Sequence, residues 1–177
     1  MPLIDPDRCA LLVIDLQGRL MPAIDQSEQR LANAARLIRA AEALRIRRHV
    51  TEQNPRGLGG TVAALDIPAD EALPKMSFDS LRDPAIAARL AGDTALVVCG
   101  CETHVCVLQT VLGLRAAGRQ VFVVADACGS RTEANRQAGL ARMQANGAEI
   151  VTTEMVIFEW LGSADHPAFK ALMPLIK

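Results

Sequence analysis

Hydrophobic and polar positions alternate along this chain with two periods, and each change of period marks an element. Ala10–Ile14 is an unbroken apolar run that stops at Asp15, the pattern of a strand buried on both faces. Asp25 or Ser27 can cap the helix that follows. To about Leu44, the residues Leu31, Ala34, Ala35, Ile38 and Ala41 keep helical spacing and give one buried face. His49–Thr51 predicts a weak second strand. Glu52–Gly60, with Asn54-Pro55 and its glycines, predicts a loop, and Ala72–Lys75 a short third strand made irregular by Pro74. Asp83-Pro84 opens a short helix, since proline suits the first helical position. Ala95–Val98 is a second wholly apolar run. The pattern breaks at Gly100 and resumes as a helix running to Gly118, with Cys106 in its first turn. Gln120–Ala125 predicts the fifth strand, with Asp126–Arg131 as its loop. A helix from about Thr132 to Asn146 then stops at Gly147, a suitable C′ residue. Glu149–Thr152 predicts the sixth strand. Thr153 caps a last short helix carrying Phe158 and Trp160, and Asp165 to Ile176 predicts a helix interrupted near Pro174.

Six strands alternating with helices predict an α/β fold, a three-layer α/β/α sandwich around a six-stranded, mostly parallel sheet. At 177 residues, half of them hydrophobic, the chain has the size of one domain, 1–177, with a substantial core. Nineteen basic against 20 acidic residues leave a net charge of -1, which points away from nucleic acid or an anionic membrane as partner. The start, Met-Pro-Leu-Ile-Asp-Pro-Asp, shows neither a basic segment nor a long apolar run, and no stretch approaches membrane-spanning length. The expectation is a cytoplasmic protein whose five cysteines are thiols.

Three polar residues stand at equivalent places. Asp15 ends the first strand, Lys75 ends the third and Cys106 follows the fourth, and in a doubly wound sheet such ends converge on one crevice. A thiol in the first turn of a helix is pushed toward thiolate, a carboxylate can take its proton, and an ammonium can hold both. Each residue alone has a plainer explanation, as a cap, a solvated lysine or core filler, but all three at strand ends favour catalysis. His104 lies two residues from Cys106, and such residues on a helix do not face each other, so Asp15 is the better base. His104, Phe78, Arg131 and Gln17 remain candidates to line a substrate pocket. Cys9, Cys99 and Cys128 read as core. Cys99 and Cys101 with His104 and Cys106 lack the second Cys-x-x-Cys pair of a zinc site. Asp15-Leu16-Gln17-Gly18-Arg19 after the first strand is no dinucleotide fingerprint, and Leu58-Gly59-Gly60 lacks the Lys and Ser/Thr of a phosphate loop. No cofactor is expected.

Ile14-Asp15-Leu16-Gln17, Pro74-Lys75-Met76-Ser77-Phe78 and Cys99-Gly100-Cys101-Glu102-Thr103-His104-Val105-Cys106-Val107 resemble, in order and spacing, the signature segments of the isochorismatase-like cysteine hydrolases. That family includes nicotinamidases and N-carbamoylsarcosine amidases. Val124–Arg131 is similar to its segment after the fifth strand. The resemblance covers about the whole chain. It implies a Rossmann-like topology, an Asp15–Lys75–Cys106 triad, a cis peptide joining Cys101 to Glu102, and an oxyanion hole made by the backbone N–H groups of Glu102 and Cys106. One departure matters. Nicotinamidases carry a metal-binding Thr-x-Asp-x-His after the second strand, whereas this chain has Thr51-Glu52-Gln53-Asn54-Pro55. Gln53 and Pro55 take the ligand places, so neither a metal site nor nicotinamidase activity is expected. The best match is a small, metal-free branch with Thr-Glu-Gln at that point.

The resulting expectation is a cysteine hydrolase of a small-molecule amide or related C–N bond, working through a thioester-type acyl-enzyme. The alternatives are an isochorismatase-type hydrolase of a non-amide bond and a non-catalytic scaffold that keeps the fold. Family members are usually oligomers. Here Val156–Trp160, with Phe169, Leu172, Met173 and Leu175, offers an apolar stripe beside an edge strand, so a homo-oligomer using Thr153–Leu161 or neighbouring loops is expected. Closing the monomer's own core is the competing use of that stripe.

Overall fold

The computed structural model describes residues 3–92 and 95–176. The strands β1 (Cys9–Ile14), β2 (Arg47–Gln53), β3 (Ala72–Lys75), β4 (Ala95–Cys101), β5 (Gln120–Gly129) and β6 (Glu149–Val151) form one sheet in the order β3-β2-β1-β4-β5-β6. Every pairing between these strands is parallel. Among the described residues, seven α-helices accompany them: α1 (Ser27–Ala43), α2 (Pro55–Leu58), α3 (Pro84–Leu90), α4 (Leu108–Ala116), α5 (Glu133–Ala145), α6 (Thr153–Leu161) and α7 (Phe169–Leu172). The chain runs outward from β1 through β2 to β3, then returns to β4 on the other side of β1. The carboxyl ends of β1 and β4 therefore flank a topological switch point, where such sheets open a crevice.

The period-two alternation of the strands divides the core into two layers. Leu11, Val13, Val97, Cys99, Phe122 and Val124 face α1, α6 and α7, meeting Leu37, Ile38, Val156, Trp160 and Leu172. Ala10, Leu12, Ile14, Leu96, Val98, Val121 and Val123 face α3, α4 and α5, meeting Ile86, Leu90, Val111, Leu114, Leu140 and Met143. Each of the larger of these side chains contributes about 1.5–3 kcal/mol by leaving water. The three-layer sandwich read from the pattern is the fold observed.

Several local expectations need correction. Ser27 begins α1 rather than capping it, and Gln26 holds the cap position in the left-handed region with no side-chain cap. Thr152, not Thr153, caps α6, through a bond from the Met155 N–H, while Thr153 donates its backbone and hydroxyl protons to Asp126 Oδ1. The segment Glu52–Gly60 is not a free loop, because β2 continues to Gln53 and α2 follows. The tail is helical only over Phe169–Leu172 before a 3₁₀ turn at Met173–Leu175.

The largest departure is β5. It does not end at Ala125 but runs to Gly129 after a bulge. Val98 pairs with Val123, whereas Gly100 pairs with Cys128. Two buried arginines make the bulge possible by satisfying its carbonyls: Arg136 donates to the carbonyls of Ala125 (2.6 Å) and Cys128 (3.0 Å), and Arg30 to that of Asp126. Asn33 adds a bond to the Asp126 carbonyl at 2.8 Å. The extended strand carries Ser130 and Arg131 to the carboxyl edge of the sheet.

Candidate active site

Asp15 follows β1 directly, is fully buried and sits in the left-handed region at φ 55°. Aspartate tolerates that conformation better than most residues, and it is where functional residues are often held. Its Oδ2 accepts from Lys75 Nζ at 2.7 Å, and its Oδ1 accepts from the Thr51 hydroxyl at 2.7 Å. Lys75, at the end of β3, is equally buried and gives a second proton to Gln53 Oε1 at 3.1 Å. Among the described residues its third N–H has no protein acceptor. The ion pair is dry, so it needs these extra hydrogen bonds to be tolerated.

Cys106 lies after β4, but not in an α-helical first turn. Thr103–Val107 forms a π-helical turn, and α4 starts only at Leu108. The thiol is 5 % exposed and lies within electrostatic reach of both the Asp15 carboxylate and the Lys75 ammonium. Its pKa is pushed up to about 12, first by burial, then by the Asp15 charge, with the Lys75 ammonium pulling the other way. The expected push toward thiolate is therefore overturned. Desolvation of the charged form and a neighbouring carboxylate outweigh whatever the helix end supplies. The resting group is a neutral thiol with a carboxylate beside it.

Around this cluster, Gly100 brings β4 against β1. Its φ is 140°, and a Cβ there would fall 2.0 Å from the Ile14 carbonyl oxygen. The peptide joining Cys101 to Glu102 is cis. The Glu102 carboxylate, largely buried, takes a two-pronged ion pair from Arg131, Nε to Oε1 and Nη2 to Oε2, both at 3.1 Å. His104 shares a 3.0 Å hydrogen bond with the Ser130 hydroxyl through Nδ1, and its Nε2 lies 3.9 Å from Glu102 Oε2.

The structure thus gathers Asp15, Lys75 and Cys106, and places Glu102, His104 and Arg131 beside them. The other two pocket candidates fare differently. Gln17 is fully buried and spends its amide inside the protein, on Gln53 and the Gly59 carbonyl, so it lines no pocket. Phe78 is half exposed on the stretch after β3, where its carbonyl accepts from Thr110, one helical turn beyond Cys106. Thr51 and Gln53 were missed as site residues. The signal was their alternation at the end of β2, between the strands that deliver Asp15 and Lys75. A groove of about 830 Å³, lined by Asn54, Arg56, Met76 and Arg82 among others, touches the cluster only at Lys75 and runs outside β3. Among the described residues, no group of three or more His, Cys, Asp or Glu side chains gathers as a metal site. None of the helices described is long and apolar enough to cross a membrane.

The isochorismatase domain model matches residues 9–155. Isochorismatase domain-containing protein 2A of Mus musculus is 38% identical over 175 residues, covering 97% of this chain and 84% of the mouse protein. The human isochorismatase domain-containing protein 2 is 37% identical with the same coverage. Among solved structures, one described as the MAR1 ribonuclease from Caenorhabditis elegans superposes with a TM-score of 0.92 at 35% identity, covering 99% of this chain and 92% of that one. With this much of its length matched in sequence and in fold, the chain belongs to the isochorismatase-like hydrolase family.

Proposed function

We propose that the chain is a cysteine hydrolase of small-molecule amides or related C–N bonds, with Asp15, Lys75 and Cys106 as its catalytic residues. One observation carries this reading: a buried carboxylate bonded to a buried ammonium, with a buried thiol beside the pair. Asp15 takes the thiol proton as Sγ attacks the carbonyl carbon, so the thiolate forms only as it is consumed. Lys75 holds the Asp15 carboxylate through its 2.7 Å hydrogen bond and balances the charge that develops. The backbone N–H groups of Glu102 and Cys106 receive the oxyanion. Asp15 then protonates the departing amine as the C–N bond breaks. A water that gives its proton to the same carboxylate cleaves the thioester, releasing the acid and restoring the thiol. The Glu102–Arg131–His104 cluster stands beside the turn that carries Cys106, and no cofactor takes part in these steps.

The test is a panel of small amides and carbamoyl compounds, with isochorismate and an RNA oligonucleotide included. RNA is included because the similar nematode structure is described as a ribonuclease. The expected result is release of ammonia or an amine by the wild type, and loss of at least a thousandfold in rate in Cys106→Ala. Turnover of RNA or isochorismate alone would replace the C–N assignment, and full activity of Cys106→Ala would end the nucleophile assignment.

A further inference from the structure

Asp15 is not the only group that holds the Lys75 ammonium. Gln53 is bonded through its side chain and its backbone at once. Its Oε1 accepts from Lys75 Nζ at 3.1 Å, its Nε2 donates to the Met76 carbonyl at 2.8 Å, and its backbone N–H donates to Gln17 Oε1 at 2.8 Å. Gln17 in turn donates through Nε2 to the carbonyls of Gln53 (3.0 Å) and Gly59 (2.6 Å). Chemistry fixes the orientation of both amides. An ammonium only donates and a backbone carbonyl only accepts, so Gln53 must turn its oxygen to Lys75 and its NH₂ to Met76. The same logic turns the Gln17 oxygen to the Gln53 N–H. Both side chains are buried, and a buried network with its members satisfied is stiff, whereas a partly satisfied one is costly.

This network continues beyond the two glutamines. Gln17 is also where the chain after β1 grips the segment beyond β2. Gly18 N–H donates to the Gly60 carbonyl, Arg19 N–H to that of Leu58, and Asn54 N–H to that of Lys75. The 54–60 segment, the Lys75 backbone and the Lys75 ammonium are thereby tied to one pair of amides.

We propose that Gln53 is a positioning residue, which fixes the Lys75 ammonium in register with Asp15, and that Gln17 couples this register to the 54–60 segment. The ammonium has three protons. With one on Asp15 and one on Gln53, its direction is set and the third is left for the sulfur or the substrate. This rests on the reading of Asp15, Lys75 and Cys106 as the catalytic set, and the experiment separates the two.

The readout needs no substrate: the rate of Cys106 modification by iodoacetamide, followed by mass spectrometry of the intact protein from pH 7 to 9. Below its pKa a thiol reacts in proportion to its thiolate fraction, so log rate rises with pH and a pKa change displaces the whole line. Lys75→Met removes the cation and should displace the line by about one pH unit or more toward higher pH. If it does not, the catalytic reading itself fails. Gln53→Met keeps the cation but removes the acceptor. It should slow modification about three- to tenfold at pH 8, with unfolding still cooperative. A shifted line in Lys75→Met with an unshifted one in Gln53→Met overturns the proposal alone. Gln17→Met keeps the test open should Gln53→Met not fold. It should both slow Cys106 and expose the Arg56–Gly57 bond to trypsin. Cleavage without a change at Cys106 refutes the coupling.

Discussion

Cys106 sits between an anion and a cation in a crevice that excludes water, and the order of those effects decides its behaviour. Burial is the strongest, the Asp15 carboxylate comes next, and Lys75 opposes them, leaving the thiol at about 12. The sign follows directly. With the pKa raised, the neutral thiol dominates at every pH below it, and the thiolate fraction grows about tenfold per unit. Modification of the wild-type protein by iodoacetamide should therefore climb throughout pH 7–9 without a plateau. A plateau beginning below pH 8 would mean that Lys75 prevails over burial and that the thiolate is the resting form. Asp15 and Lys75 were legible in the sequence because each ends a strand pattern, and Cys106 because it follows a third such pattern after the break at Gly100. Gln17 was misread and Gln53 taken only as the occupant of a metal ligand's place. Their partners lie on other strands, and nothing in local spacing shows that two amides will face each other across β1 and β2.

At the scale of elements, β4 determines how closely the two halves of the crevice approach. Gly100 opposes Ile14 in the parallel register, and its backbone conformation is one that side chains rarely adopt. The nearest obstacle to a Cβ is a backbone carbonyl, which cannot swing aside as a side chain can. Gly100→Ala should therefore force β4 away from β1 just before the π turn. The expected cost is at least about 3 kcal/mol, combining steric conflict with the strained φ, read as a large fall in melting temperature or loss of soluble protein. A variant that melts within two degrees of the wild type would show that β4 can slide. The break at Gly100 was legible; the extension of β5 beside it was not. Asp126, Gly129 and Ser130 read locally as a loop, and the strand continues only because Arg30, Asn33 and Arg136 reach its carbonyls from α1 and α5. Only the fold itself brings those helices to the bulge.

At the scale of the whole molecule, the stripe expected to mediate assembly is split between two uses. Val156, Ile157, Trp160 and Leu161 point into the monomer's core, so more than half of the segment closes the fold rather than an interface. What remains outside is Met155 at 46 % and Phe158 at 42 % exposure, and Leu3 at 72 %. Leu3 belongs to the same surface, because the N–H of its neighbour Ile4 donates to Glu159 Oε2 at 2.8 Å. The patch lies beyond β6, an edge strand of the sheet. Because these side chains are already partly buried, covering the rest of three from each of two copies would contribute about 1 kcal/mol per side chain, enough in sum to exceed the lower estimates of the cost of association, about 4 kcal/mol. We therefore expect at least a dimer in solution. Light scattering at micromolar concentration should give a mass of two or more times 19.0 kDa, and Met155→Glu with Phe158→Glu should lower it toward 19.0 kDa with the fold intact. A wild-type mass near 19.0 kDa would rule out the assembly. A large mass unaffected by the double substitution would move the interface elsewhere, to the face where Met76 and Phe78 are exposed beside Lys75.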